Sequence, residues 1–357
     1  MNNGWRHLFA VPVLLMLTGC GASSPTPPEQ PQLSAPVNLP FDLAVNVFSS
    51  YLSQTAEQAC FAASSQGQCR NDGIASNEFL AGLEQLSLFR ELSPSVSRHD
   101  YELLIANQLT ETPATQQGST KDQPLQSFSE FSVEWRGVQL DSFLVHYWHQ
   151  DKVTPQDIQQ IILRWAAHAE QQHLFTTPYL YKAMGASDYS GQLVLPQTLG
   201  KFRLSQQYLY PDPFKGVLAR YLHPEFTDAI VDIAVYPVLA PLTHNSAQQV
   251  IHELEDAVEQ AKTIAAERAM NIDIKKHQHP ISDDTGNIHG MMSELAAEGD
   301  DSEALYASIY LFRLEDKFVK FSTTFPSRIG DPLVIQALRE LTVPGESALM
   351  KELRQAL

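Results

Sequence analysis

The sequence predicts an α+β protein of two domains, each an antiparallel sheet packed against helices. Three observations lead there. Alternating apolar and polar segments of strand length fall into two blocks, and each block ends in a capped amphipathic helix. A run of small residues with no helical period, "MGASDYSG" at 184–191, separates the blocks. Residues 41–357 are long enough for two domains of ordinary size, and 43% hydrophobic against 18% charged residues can build real cores.

The chain opens with a short polar stretch carrying Arg6, followed by an apolar run at 8–17 broken only by Pro12. Ten residues rise about 15 Å as a helix, roughly half a bilayer core, so the run is too short to span. Positive start, short apolar core and small residues before a cut describe a secretory leader over 1–19. Its end, Leu17-Thr18-Gly19-Cys20, resembles the bacterial lipobox. That resemblance implies acylation of the Cys20 thiol, cleavage before it, and acylation of the new amino group. Several acyl chains give stable anchoring where one is marginal. Gly21 and Ala22 replace the aspartate that retains such lipoproteins at the inner membrane, which implies an outer-membrane, palmitate-bearing anchor with periplasmic domains. The alternative is a plain signal peptide with a chance cysteine.

Residues 20–40 form the tether. The stretch 21–40 holds six prolines and one charge, a composition that favours extended polyproline II and buries no core. At about 3.1 Å per residue it reaches roughly 60 Å. The formal charge is −17, and removing Arg6 with the leader makes it −18. This argues against nucleic acid, whose phosphates need basic stripes, and against anionic headgroups as electrostatic partners. It is also a common solubility device. With Cys20 acylated, Cys60 and Cys69 are an even pair in an oxidising compartment, and a disulfide between them is expected. A metal-bound or reactive pair would favour CxxC spacing, which is absent.

The first domain, 41–185, opens with "FDLAVNVFSSYLSQTAEQACFA", where Phe41, Val45, Phe48 and Leu52 stand at helical steps. "SNEFLAGLEQLSLF" reads as a second helix, Ser76 its N-cap and Phe79, Leu83 and Leu86 its stripe. "DYELLIANQL" is a strand. After a polar loop at 110–126, Phe131, Val133 and Trp135 alternate with Ser132, Glu134 and Arg136, and Gly137 marks the turn into "VQLDSFLVHYW". Thr154 caps a helix with Pro155 in its first turn and Ile158, Ile161, Ile162 and Trp165 inward. The order "EFLAGLEQLSLFREL", "DYELLIANQL" and hairpin is similar to the N-terminal domain of the TolB family, which implies an assembly or adaptor module without catalysis.

The second domain, 190–357, begins with the strand-like "GKFRLSQQYLY", "GVLARYLH" and "AIVDIAVYPV". A helix over 246–270 follows, with Val250, Leu254, Ala257, Ala261 and Ile264 on one side. "IHGMMSELAA" reads as a strand before the acidic loop "EGDDSE". "ALYASIYLFRL" and "FVKFSTTFP" make the clearest hairpin, and "DPLVIQALREL" closes the chain as a helix started by Asp331 and Pro332. "FVKFSTTFP" with its preceding strand resembles the PsbP-like fold, whose members mostly bind partners.

Motifs for chemistry are sparse. Gly200-Lys201 lacks the rest of a phosphate loop, and no nucleophile elbow or dinucleotide pattern occurs. "HELED" has Asp256 where a zinc protease needs its second histidine. In "KKHQHPISDDTGNIHG", His277 and His279 share a face if the segment is a strand, and His289 with Asp283 or Asp284 would complete a zinc or copper site. The same segment reads as an exposed polar loop, and Lys275 and Lys276 would repel a cation. Phe175, Tyr179, Tyr181, Tyr189, Tyr208, Tyr210, Phe214 and Tyr221 crowd the junction, and Tyr179, Tyr181, Tyr208, Tyr210 and Phe214 are the candidate binding set. The alternative is that they pack the two domains together.

The expected function is a non-enzymatic envelope lipoprotein, held to the membrane by its anchor and binding another envelope protein as adaptor or assembly factor. No cofactor and no nucleic acid are expected. The alternatives are a module holding a small or lipidic ligand between sheet and helix, and a metal-binding protein or metal-dependent hydrolase using His277, His279 and His289.

Overall fold

A computed structural model describes residues 30, 33, 40–64, 68–94, 98–110, 125–243, 245–282, 286, 289–298 and 305–356. Cys20, Asp283 and Asp284 lie outside them. The fold is α+β, with two antiparallel-dominated sheets packed against helices.

The first sheet contains β1 (Phe41–Phe48), β2 (Cys69–Asn71), β3 (Phe89–Ser93), β4 (Tyr101–Thr110), β5 (Leu125–Trp135) and β6 (Val138–His149). Its order is β3-β1-β4-β5-β6, with β2 paired to β4. Three helices belong to this part: α1 (Gln54–Ala63), α2 (Ser76–Leu86) and α3 (Pro155–Gln172).

The expected helix from Phe41 is instead strand β1, parallel to β3 and β4. Phe41, Leu43, Val45 and Val47 alternate onto the core face, a period of two that overrides the coincidental helical spacing. Leu52, which the helix would bury, is 76% exposed. The helix begins only after Ser53, whose hydroxyl accepts from the Ala56 amide at 3.0 Å. In α2 the cap is Ala75, not Ser76; its amide donates to Glu78. The hairpin β5–β6 turns at Arg136 and Gly137, both at positive φ, as a tight two-residue turn requires. In α3, Thr154 and Asp157 form the capping box.

One face of this sheet packs on α2 and α3 around Phe131, Val133 and Trp165. The other carries α1, where Cys60 packs on Phe128. Cys60 and Cys69 stand at disulfide distance, with Cα atoms 6.2 Å apart.

Helix α4 (Thr177–Ala183) leads to the second sheet: β7 (Thr198–Leu199), β8 (Phe202–Leu209), β9 (Val217–Leu222), β10 (Ile230–Pro237), then β11 (Asn271–Ser282), β12 (His289–Glu298), β13 (Leu305–Leu314) and β14 (Lys317–Thr323). The order is β11-β12-β13-β14-β10-β9-β8-β7, antiparallel throughout. Helix α5 (Ser246–Glu267) lies on one face, α6 (Ser327–Glu340) on the other, and α7 (Ala348–Ala356) ends the chain.

The structure departs from expectation in α5 and α6. Ile264 of α5 is 45% exposed, and the buried residues are Val250, Leu254, Ala257, Val258 and Ala265. Helix α6 starts at Ser327, and Pro332 lies inside it. The early start is fixed by Glu294 of β12, whose carboxylate accepts from the Ser327 amide at 2.7 Å and satisfies a free helix donor. Asp331 accepts from the Tyr310 hydroxyl at 2.8 Å instead of starting the helix.

Candidate functional site

The two faces of the second sheet are covered unequally. The α6 face is closed by a continuous core that includes Tyr221, Ile233, Val319 and Phe321. On the other face α5 packs over β11, β12 and β13, leaving the half made by β14, β10 and β9 beside it. Strand alternation puts Phe318 and Lys320, Tyr236 and Ala234, and Asp232 and Arg220 on that half. Most of these side chains are half-buried, and Arg220 and Asp232 pair through two bonds of 2.8 Å.

The result is a cleft of about 690 Å³ between α5 and the open half-sheet. Tyr236 and Phe318 form its floor, with rings 5.8 Å apart. Its helix wall is Gln249, Glu253, Asp256 and Gln260, spaced three and four apart, so a polar stripe of α5 faces the sheet. The opposite wall is the segment joining β8 to β9, which brings Tyr210, Phe214 and Lys215.

That wall is held by the first part of the chain. The Tyr181 hydroxyl lies within 3.1–3.3 Å of the carbonyl oxygens of Tyr210, Asp212 and Gly216. Arg136 pairs with Asp212 at 3.1 Å, and Trp135 packs on Phe214 at 6.4 Å between centroids. Gly216 has φ +63, and a Cβ there would collide with the Val235 carbonyl oxygen, so the loop needs glycine.

The cleft's charges divide into partnered and unpartnered. The Tyr236 hydroxyl donates to Glu253 at 2.7 Å. Burial, with the carboxylate beside it, raises the phenol well above its ordinary pKa. Asp256 stands 3.9 Å from His252, both largely exposed at the rim of the cleft. Among the described residues, Lys215 and Lys320 have neither an ion-pair partner nor a side-chain hydrogen bond. The Lys320 ammonium stands 5.8 Å from the Tyr236 ring. Burial lowers its pKa, an effect the nearby Glu253 carboxylate opposes.

Of the five aromatic candidates, Tyr210 and Phe214 line this cleft. Tyr208 packs edge-on against Tyr210 and is 44% exposed. Tyr179 donates to the Leu140 carbonyl at 3.2 Å, and Tyr181 is buried in the second core, so both tie elements together. His277 and His279 lie exposed on edge strand β11, with a positive φ at Gln278 between them. His279 pairs across from Met292, and His289 across from Ser282. Among the described residues, no three His, Cys, Asp or Glu side chains converge to hold a metal ion.

Motif reading also missed an arrangement in the first sheet. His149 Nε2 lies 2.8 Å from Ser127 Oγ, and its Nδ1 lies 3.0 Å from Asp157 Oδ2. This has the connectivity of a hydrolytic triad. Ser127 is 0% exposed, His149 1%, and the cleft does not reach them. The bonds satisfy buried polar groups where β6 meets α3. No sequence signal could have found it, because Ser127 is 22 residues from His149 and lies outside any local motif.

No family model matches the chain, and no curated protein matches it in sequence. Among solved structures, it is similar to the solution structure of cyanobacterial PsbP (CyanoP) from Synechocystis sp. PCC 6803. The identity is 11%, over 44% of this chain and 98% of that one, with a TM-score of 0.27. The similarity is weak. A second similar structure is the crystal structure of CalU16 from Micromonospora echinospora, at 12% identity over 43% of this chain and 96% of that one, TM-score 0.16. Neither score supports a functional argument.

Proposed function

We propose that this chain is a non-enzymatic lipoprotein of the cell envelope. Cys20 tethers it to the outer membrane, and it holds a small or lipidic ligand in the cleft between α5 and the second sheet. The carrying observation is the open half-sheet, an aromatic floor of Tyr236 and Phe318 beside Lys215 and Lys320, whose ammonium groups form no ion pair among the described residues. Its volume, about 690 Å³, lies in the range of small-molecule sites.

The test is to purify the chain from cell envelopes, extract it with organic solvent and identify bound molecules by mass spectrometry. A stoichiometric ligand in the parent and none in Ala234→Trp, which fills the cleft floor, is the expected result. Equal extracts from both would refute the cleft. Unchanged processing and membrane association in Cys20→Ala would refute the tether.

The adaptor reading has its own supporting observation. Among the described residues strand β6 pairs with β5 alone; its Trp148 carbonyl accepts from the Gln30 side chain at 3.4 Å, and the rest of this twelve-residue edge is a template on which a partner strand can add. Photo-crosslinking from exposed Val138 would capture one dominant protein if that reading holds.

A further inference from the structure

We infer that the cleft is selective for an organic anion: a carboxylate or phosphate head held by Lys320 and Lys215, with an apolar body lying over Tyr236 and Phe318. The inference rests on the cleft being the binding site and adds the chemical class of what it binds.

With a formal charge of −17, the protein as a whole repels anions. That repulsion acts over a distance: at physiological salt, exposed charges more than about 8 Å apart are largely screened, so the nearest groups govern a partly buried site. The nearest acids are Glu253, which accepts from the Tyr236 hydroxyl, and Asp256, which stands 3.9 Å from His252 at the exposed rim of the same wall. Among the described residues neither Lys320 nor Lys215 has an ion pair or a hydrogen bond from its ammonium; Lys320 has only the Tyr236 ring at 5.8 Å and the field of the nearby Glu253 carboxylate.

An unpaired cation at a partly apolar site is costly, and the unpaired form is tolerated where a ligand supplies the missing charge. The two lysines come from different elements, β14 and the segment between β8 and β9, and meet on one cavity. Lys320 is the inner group, half-buried over the Tyr236 ring, and Lys215 is the exposed one. A head group entering from solvent therefore passes Lys215 and settles on Lys320. The aromatic floor then covers the part of the ligand next to the head. A neutral or cationic amphiphile of the same shape gains the floor but not the head contact, and a cation is repelled.

The experiment uses the full chain and four probes with unbranched ten-carbon chains and different heads: decanoate, decyl phosphate, decanol and decyltrimethylammonium. Binding is measured by calorimetry below micelle-forming concentrations, at low and high salt. Decanoate or decyl phosphate should bind once per chain, about tenfold or more tighter than decanol, as a charge-assisted hydrogen bond implies. Whichever head wins identifies the source as free acid or phosphorylated lipid. The advantage over decanol should shrink at high salt.

Lys320→Gln and, separately, Lys215→Gln should bring the anions toward the decanol affinity and leave decanol unchanged. Lys215 is exposed on its loop, so this variant decides the matter even if Lys320→Gln fails to fold. If all four probes bind equally and Ala234→Trp abolishes all of them, the cleft stands and its anion selectivity is overturned. If no probe binds, or Ala234→Trp changes nothing, the cleft reading itself is overturned.

Discussion

The two sheets place similar polar material next to their cores and treat it differently. In the first, Glu130 accepts from Ser53 and Ser142, Asn107 bonds both backbone groups of Ile74, and His149 is held between Ser127 and Asp157. In the second, one end is equally closed. Lys317, 0% exposed, donates to Asp316, and Arg354 of α7 reaches both Asp316 and Glu346. Three residues along the same strand, Lys320 has no ion pair or hydrogen bond from its ammonium among the described residues, only the Tyr236 ring at 5.8 Å. A lysine closed into a network holds the fold together, whereas one left open in a cavity is available to a ligand.

The largest expected effect tests that division directly. Asp316→Ala leaves Lys317 and Arg354 buried without their shared anion, and removing one partner of a buried pair costs about 3–5 kcal/mol. Lys320→Gln removes a charge that strands no hydrogen-bonded partner among the described residues, since Glu253 keeps its bond from Tyr236, and stability should move by less than about 1 kcal/mol. Urea denaturation of the two variants measures both. A loss for Lys320→Gln as large as that for Asp316→Ala would show that Lys320 is structural and erase the contrast.

The next effect falls on the first sheet alone. Replacing Cys60 and Cys69 by serine opens the loop between α1 and β2. The loop-entropy model assigns closure of so short a loop about 2–3 kcal/mol. The cleft shares no residue with the small cluster around Cys60, so decanoate binding should be unchanged. A parallel loss of affinity would mean that the first sheet transmits its stability to the cleft wall, through Arg136 and Asp212 or Trp135 and Phe214.

Much of this fold was legible where one signal dominated. Alternation in Phe131, Val133 and Trp135, and the cap Thr154 before a run of isoleucines, specified β5 and α3 because each element has one wet and one buried face. Strand β1 was not legible because two periods competed. Phe41, Val45 and Phe48 fit a helix as well as Phe41, Leu43, Val45 and Val47 fit a strand, and only tertiary pairing with β3 and β4 separates them. Of the cleft, the sequence showed Tyr210 and Phe214 as part of an aromatic crowd. It could not show Tyr236, Glu253 and Lys320 together, because they come from β10, α5 and β14, and β14 pairs with β10 across the intervening helix and hairpins.

The smallest effect concerns pH, and it separates a satisfied buried histidine from a catalytic one. Burial lowers the pKa of His149 below its ordinary 6.5, and the Asp157 carboxylate opposes this without reversing it. The unfolded chain therefore takes up a proton at this site more readily than the folded one. Above pH 6.5 both states are neutral and the contribution is fully present. As pH falls below 6.5 the unfolded state gains protons first and stability is lost, until the folded pKa is reached and the curve levels. His146 is lowered by burial too and titrates in the same window, so the comparison is between the parent and His149→Gln with His146 in place. Melting curves from pH 7.5 down to 5 should fall less steeply for His149→Gln. Asp157→Asn, which removes the opposing carboxylate but keeps an acceptor for the Thr154 amide, should make the fall steeper. If instead both variants match the parent while an esterase activity disappears, Ser127 is reached by substrate in solution and the first sheet, not the cleft, carries the function.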